Sequence, residues 1–295
     1  MSLPNFMCIG AAKSGTTSLY DILKQHSDIF VPSFKEPHFF DIPSAYKNGI
    51  SWYEKSYFSN VKNENCVGDF TPTYLFEEKT AQRIFNDLGK DVKFIVILRN
   101  PVDRAYSHYL HSKRDCHELL SFKEALVNEK TRFEKSVSIG DYLSKLRFSY
   151  IRQGSYAHML KEYFKYFPKE NFLILNFEKE FVAERKETID KVLLFLNVNN
   201  EKMEIDLKSN IASKARFTWL KNIMNKQTWW NVVLKKMISS VEFRRILRNR
   251  IQRANNVNFL FDEISDIEKK DLYNRYFKHE VLELEELLNK KMDWN

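Results

Sequence analysis

The chain is short of cysteine, glycine and proline, with three, seven and seven among 295 residues. Cys8, Cys66 and Cys116 are an odd count without framework spacing, which excludes a disulfide-stapled scaffold and points to a reducing compartment. No apolar stretch reaches the roughly 18 residues of a spanning helix, so none is expected. The opening MSLPNFMCIGAAKSG has no basic leader and only a short apolar run, so no secretory signal is expected either. There is no internal repeat and no low-complexity tract. The scarcity of Gly and Pro beside abundant Lys, Asn, Phe and Tyr reads as compositional bias.

What is present starts with a sizeable core, since 43% of residues are hydrophobic. The length suits one large α/β domain or two small ones. The formal net charge is +8 and the pI about 9.1, which favours a polyanionic ligand. Nucleic acid, acidic glycan, anionic membrane and nucleotide all fit that sign.

The chain is organised around residues 6–24, FMCIGAAKSGTTSLYDILK. An apolar strand ends in Gly10, a loop carries Lys13, Ser14, Gly15, Thr16 and Thr17, and Leu19, Ile22 and Leu23 recur at helical spacing. Strand, small-residue loop and helix in that order cradle a phosphate, because loop N–H groups and the helix N-terminus face the same anion. The spelling lacks one thing. A nucleotide triphosphatase loop places lysine directly after its second glycine, whereas Thr16 follows Gly15 here and the lysine is Lys13.

Further strands are read at 29–32, 65–70, 93–98 and 172–177. KFIVIL, Lys93–Leu98, is continuous and β-branched like a buried parallel strand. Helices are read at 51–59, 77–88, 101–113, 154–167 and 186–196, giving a single α/β domain with a central parallel sheet flanked by helices. Asn100 and Pro101 are cap and first residue of the third of these. Ser121 with Glu124 forms a capping box opening FKEALVNEK, and Ser265 with Glu268 a second one opening a helix through about Lys290. Residues 130–150 read as a charged, irregular surface excursion.

Three candidate groups share the carboxyl edge of that sheet. The loop from Lys13 to Ser18 is one. Arg99 ends the strongest strand and Ser107 lies two turns into the following helix; an arginine there can grip a phosphate, with Ser107 adding a bond. A strand-end ion pair of Arg99 with Asp103, and an ordinary helix-face serine, are the alternatives. The third is SFKEPHFFD, residues 33–41, holding Lys35, Glu36 and His38; it reads either as a site loop or as a surface loop whose phenylalanines dock into the core. No acid follows KFIVIL to hold Mg²⁺, and Asp69 is a weak candidate. From Lys214 to Arg253 there are eleven basic residues, Glu242 as the one acid, and Trp219, Trp229 and Trp230. A donor lid, an acidic-acceptor groove, an interfacial helix and a solvated helical face compete there.

These stretches resemble the sulfotransferases that use 3′-phosphoadenosine 5′-phosphosulfate, closest in pattern to the heparan-sulfate type. IGAAKSGTTSLYDIL is similar to their 5′-phosphosulfate loop, FIVILRNPVDRAYSHYLH to their 3′-phosphate site, and KEPHFF to their acidic loop. VGDFTPTYL, GSYAHMLKEYF, SKAR at 213–216 and the closing tryptophan of KMDWN are weaker matches. The resemblance implies one domain over 1–295, with about 208–260 as lid or acceptor-binding segment. It implies that Lys13 contacts the bridging oxygen, that Ser14, Gly15, Thr16, Thr17 and Ser18 hold the 5′-phosphate, and that Arg99 and Ser107 bind the 3′-phosphate. Glu36 becomes the general base and His38 its orienter or the runner-up base. Lys214 and Arg216 close over the donor, with Tyr156 near it. No metal is required, and 3′,5′-bisphosphoadenosine is the product. The acceptor is a hydroxyl on a glycan, glycolipid or glycosylated small molecule, not nucleic acid, in the cytoplasm of a bacterium. Peripheral membrane contact stays open, and oligomeric state is silent. Where those enzymes carry a Glu-Lys pair before the threonine-proline turn, this chain has Asp69-Phe70. The competing readings are a P-loop nucleotide kinase or NTPase, and a non-catalytic polyanion binder.

Overall fold

The computed structural model describes residues 2–206, 213–215, 256–258 and 264–294. In chain order the elements are β1 (Phe6–Gly10), α1 (Thr16–Leu23), β2 (Ile29–Phe30), α2 (Pro43–Tyr46), α3 (Ile50–Tyr57), β3 (Cys66–Phe70), α4 (Lys79–Leu88), β4 (Lys93–Leu98) and α5 (Pro101–Arg114). Then come α6 (Phe122–Val127), α7 (Glu129–Ser138), α8 (Tyr142–Arg147), α9 (Tyr156–Phe164), β5 (Phe172–Asn176) and α10 (Arg185–Leu196). Two short strands, β6 (Ser213–Ala215) and β7 (Asn256–Asn258), pair antiparallel. Helices Asp266–Leu272 and Lys278–Leu288 close the chain, with a π-helical turn between them.

The main sheet has the order β2-β3-β1-β4-β5, and every pairing in it is parallel. Its strands are apolar on both faces because both faces are covered. Side-chain alternation sorts them into two layers. Met7, Ile9, Phe94, Val96 and Leu98 face a core with Tyr53, Ile84, Leu160 and Phe277 from helices on one side. Phe6, Cys8, Ile95 and Ile97 face α1 and α10 on the other, through Leu19, Ile22, Ile189 and Val192. The parallel arrangement brings the ends of β1, β3 and β4 to one edge, where the three candidate groups lie.

The cap reading holds at the start of α5: Asn100 Oδ1 accepts from the backbone N–H of Val102 at 3.0 Å and of Asp103 at 3.4 Å. The Ser121–Glu124 capping box is complete at α6. Residues 130–150 differ from the expected irregular excursion. They form α7 and α8, and buried Glu129 accepts from the backbone of Ile151 (2.6 Å) and Arg152 (2.9 Å). Asp141 caps α8 through the N–H of Ser144 at 3.0 Å. The second strand ends at Phe30 rather than 32, and the β5–α10 connection is a π-helical turn, Phe177–Ala183. Most of the 208–260 segment, with Trp219, Trp229, Trp230 and Arg216, lies outside the described residues.

Candidate functional site: an anion cradle beside a carboxylate

The loop after β1 is pinned at both ends. The N–H of Ala11 bonds Ile97 O at 2.8 Å, and the N–H of Leu19 bonds Gly15 O at 3.1 Å as α1 begins. Lys13 and Gly15 both take positive φ, 73° and 82°. At Gly15 a side chain would be strained and crowded, since an added Cβ would stand 2.8 Å from Phe181 and 2.9 Å from Phe177. Thr16, Thr17 and Ser18 form the first turn of α1. The Ser14 hydroxyl is buried and has no hydrogen-bond partner among the described residues, an orphan that suits an incoming anion. Burial, with the like charge of Arg114 next, pulls the Lys13 ammonium down to about 8, while Glu36 and Asp115 oppose the fall.

The acidic loop is fastened to β3 by the N–H of Glu36, 3.0 Å from Phe70 O. Its phenylalanines dock, Phe39 and Phe40 being fully buried, while its polar residues turn to the site. Lys35 Nζ donates to Thr16 Oγ1 and Thr17 Oγ1 at 3.0 Å each and lies 3.7 Å from Glu36 Oε1. His38 Nε2 is 3.6 Å from Glu36 Oε2, and His38 Nδ1 is 2.9 Å from Asp41 Oδ2. Thr73 also donates to Asp41, at 2.6 Å. Burial alone would raise the Glu36 carboxyl, but the His38 hydrogen bond and the charges of Lys35, His38 and Lys13 outweigh it and hold it down to about 2. Burial would lower His38, yet the bonds and charges of Asp41 and Glu36 raise it to about 10. Glu36 is thus an ionised acceptor, and His38 an imidazolium with no lone pair to offer.

Arg99 does not pair with Asp103, which meets Lys269 at 3.0 Å. Its Nη1 donates to Lys13 O at 3.0 Å, its guanidinium lies 4.9 Å from the Phe177 ring centre, and its buried Nε has no hydrogen-bond partner among the described residues. Ser107 sits half-buried on α5. Tyr156 is buried, and its hydroxyl donates to Arg99 O at 2.9 Å, so it braces Arg99 from behind. Trp294 packs against Tyr156 with the two rings tilted by 60°, and donates to Glu178, which also accepts from the N–H of Asn100. The closing tryptophan therefore fastens the Arg99-Asn100-Pro101 turn. Of Lys214, the backbone is described in β6, which lies beside α5.

Sequence reasoning missed several residues. Asp41 stood unnamed inside the quoted loop, three residues after His38, and Lys35 was named there without a role. His111, Arg114 and Asp115 follow Ser107 at helical spacing, and their charges act on Lys13 or feel it. Burial first, then Lys13, pulls His111 down to about 3, so its imidazole is neutral. Asp69, the weak Mg²⁺ candidate, is fully buried and taken up by Tyr53 (2.5 Å), Thr71 (2.7 Å) and Tyr74 (3.0 Å). It is a structural acid.

Fold and site define a parallel α/β protein with an anion cradle facing a carboxylate–imidazolium pair. The chain belongs to the sulfotransferase family: the model for the sulfotransferase domain matches residues 3–258. It is 42% identical over 111 residues to the membrane-associated sulfotransferase kil1 of Dictyostelium discoideum, covering 37% of this chain and 23% of that one. It is 31% identical over 195 residues to the heparan sulfate glucosamine 3-O-sulfotransferase 6 of Homo sapiens, covering 66% and 52%. It is 29% identical over 197 residues to 3-O-sulfotransferase 5 of Mus musculus, covering 66% and 54%. The chain spans about half the length of these two 3-O-sulfotransferases. A solved sulfotransferase from Alicyclobacillus acidocaldarius superposes with a TM-score of 0.72 at 26% identity, covering 100% of this chain and 99% of that one. Among the described residues no helix is long and apolar enough to cross a membrane.

Proposed function

We propose that the protein transfers a sulfuryl group from 3′-phosphoadenosine 5′-phosphosulfate to a hydroxyl of a carbohydrate or glycoconjugate. One observation carries the reading: an ionised carboxylate, Glu36, and an anion cradle with unsatisfied donors share a single edge of the sheet. The orphaned Ser14 hydroxyl and Arg99 Nε fit the two phosphate ends of that donor.

The roles are those the resemblance to the sulfotransferases implies. Thr16, Thr17, Ser14, Ser18 and the loop N–H groups hold the 5′-phosphate. Arg99 and Ser107 hold the 3′-phosphate. Glu36 accepts the proton of the acceptor hydroxyl as its oxygen bonds to sulfur. The sulfur–oxygen bond to the 5′-phosphate breaks in line, and its electron pair leaves on 3′,5′-bisphosphoadenosine. Lys13 offsets the charge that grows there. A weakly basic carboxylate suffices because the hydroxyl proton becomes acidic as the new bond forms. His38, held by Asp41, keeps Glu36 aimed and ionised. The carbohydrate class rests on the heparan sulfate relatives, and the three free thiols support a cytoplasmic setting. The kinase alternative loses its best metal-binding acid, since Asp69 is committed to three hydroxyls.

The test is transfer of labelled sulfate to a panel of glycans by wild type and Glu36→Gln. A loss of turnover of about 10²- to 10⁴-fold is expected, with the affinity for 3′,5′-bisphosphoadenosine little changed in magnesium-free buffer. Near-normal transfer by Glu36→Gln removes it as base. Stabilisation by ATP with magnesium, and not by the bisphosphate, returns the protein to the kinase reading.

A further inference from the structure

The ammonium of Lys35 stands between the cradle and the base. It reaches Thr16 and Thr17 at 3.0 Å each and Glu36 at 3.7 Å, and its side chain is only 14% exposed. The loop geometry holds it there, because the N–H of the next residue, Glu36, is tied to β3 and the phenylalanines beyond are locked in the core. An anion whose oxygens bond both threonine hydroxyls lies within about 6 Å of Nζ, the sum of two hydrogen-bond lengths. A group leaving that anion for an acceptor at Glu36 travels past the same ammonium.

We propose that Lys35 is a second donor-binding cation, contacting the 5′ phosphosulfate end of the nucleotide beside Lys13. The inference rests on the donor reading above and deepens it by assigning the 5′ end to two lysines from different loops. Burial lowers Lys35 below the ordinary lysine range, with Glu36 opposing, so an arriving anion strengthens its charge. On that donor reading the remainder of the nucleotide runs to Arg99 and Ser107, which gives the test its contrast.

Binding of 3′,5′-bisphosphoadenosine is compared with binding of adenosine 3′-monophosphate, which lacks the 5′ group, for wild type, Lys35→Met and Lys35→Arg. In Lys35→Met the bisphosphate weakens on the order of ten- to a hundred-fold, as for a lost charged hydrogen bond, while the monophosphate is unchanged; Lys35→Arg recovers part of the loss. Equal weakening of both ligands shows a merely structural role and overturns the proposal, as does no weakening of either. Wild type that binds neither ligand overturns the donor reading itself and Lys35's role with it. A readout on the unmutated protein stands should Lys35→Met fail to fold: the bisphosphate, and not the monophosphate, slows acetylation of Lys35 seen by mass spectrometry. Equal protection by both sinks the assignment.

Discussion

Donor affinity should fall as pH rises through the titration of Lys13. Burial and the neighbouring Arg114 bring that ammonium from 10.5 down to about 8, within reach of ordinary buffers. The sign follows from linkage: the protonated form binds the anion, so the free protein loses affinity once it deprotonates, above about pH 8. A bound anion holds the proton more tightly, so the fall continues at about tenfold per pH unit until the complex titrates as well. From pH 8 to 9.5 the affinity for 3′,5′-bisphosphoadenosine should drop by more than tenfold, whereas its own phosphates are already ionised and contribute nothing. Arg114→Gln supplies the internal control. It removes a like charge and leaves the Asp115 carboxylate, which Arg114 meets at 3.0 Å, less countered, and both changes raise Lys13. A charge change beside a titrating group is worth on the order of one pH unit, so the break should move up by about that much. Isothermal titration across the pH series measures this without any acceptor. A flat profile to pH 9.5, or a break that persists unchanged in Lys13→Met, would refute the assignment of Lys13 to the 5′ end.

Ser14→Ala should leave stability within about 0.5 kcal/mol, because the buried hydroxyl has no partner to lose among the described residues, yet weaken the bisphosphate by roughly tenfold or more; thermal melts and titration separate the two. Gly15→Ala should cost about 1–3 kcal/mol from left-handed strain and contact with Phe177 and Phe181, and should reduce donor binding too, since Arg99 rests on Phe177. Burial raises Asp69 to about 6, so its three hydroxyl bonds meet a charge only above that pH. Tyr53→Phe should therefore destabilise by about 1.5–3 kcal/mol at pH 7.5 and clearly less at pH 5 in urea melts; equal losses at both would mean Asp69 is ionised throughout.

The sheet and its anion loop were legible because they depend on local pattern. KFIVIL is buried on both faces and says so in its composition. Asn100-Pro101 marks a helix start whose cap bonds are present. Residues 130–150 were not legible, because what makes them helical is distant. Buried Glu129 satisfies the backbone of Ile151 and Arg152, and Lys145 meets Glu77 at 2.6 Å. A charged stretch reads as solvated when its partners are twenty or more residues away.

The site shows the same division more sharply. Glu36, Lys13 and Arg99 could be nominated as residue types at strand ends. The states of Glu36 and Lys13 could not, because burial and neighbouring groups set them, His38 and Lys35 for Glu36 and Arg114 for Lys13. Glu36 and His38 have ordinary values near 4.5 and 6.5 and stood as base and runner-up; the bond and charge of His38, with Lys35 and Lys13, bring Glu36 down to about 2, and the bonds and charges of Asp41 and Glu36 bring His38 up to about 10. The result is one carboxylate that can take a proton and one imidazolium that cannot. On the His38 side that polarity rests on Asp41 first, which His38 and Thr73 both reach. Asp41→Asn should therefore do more than trim an orienting bond. With its second anion gone, His38 loses its proton at a lower pH than in wild type and Glu36 loses its cation. Turnover in Asp41→Asn should then fall with rising pH across a range where wild type holds steady. A pH–rate profile parallel to wild type would show that Lys35 and Lys13 alone keep Glu36 poised.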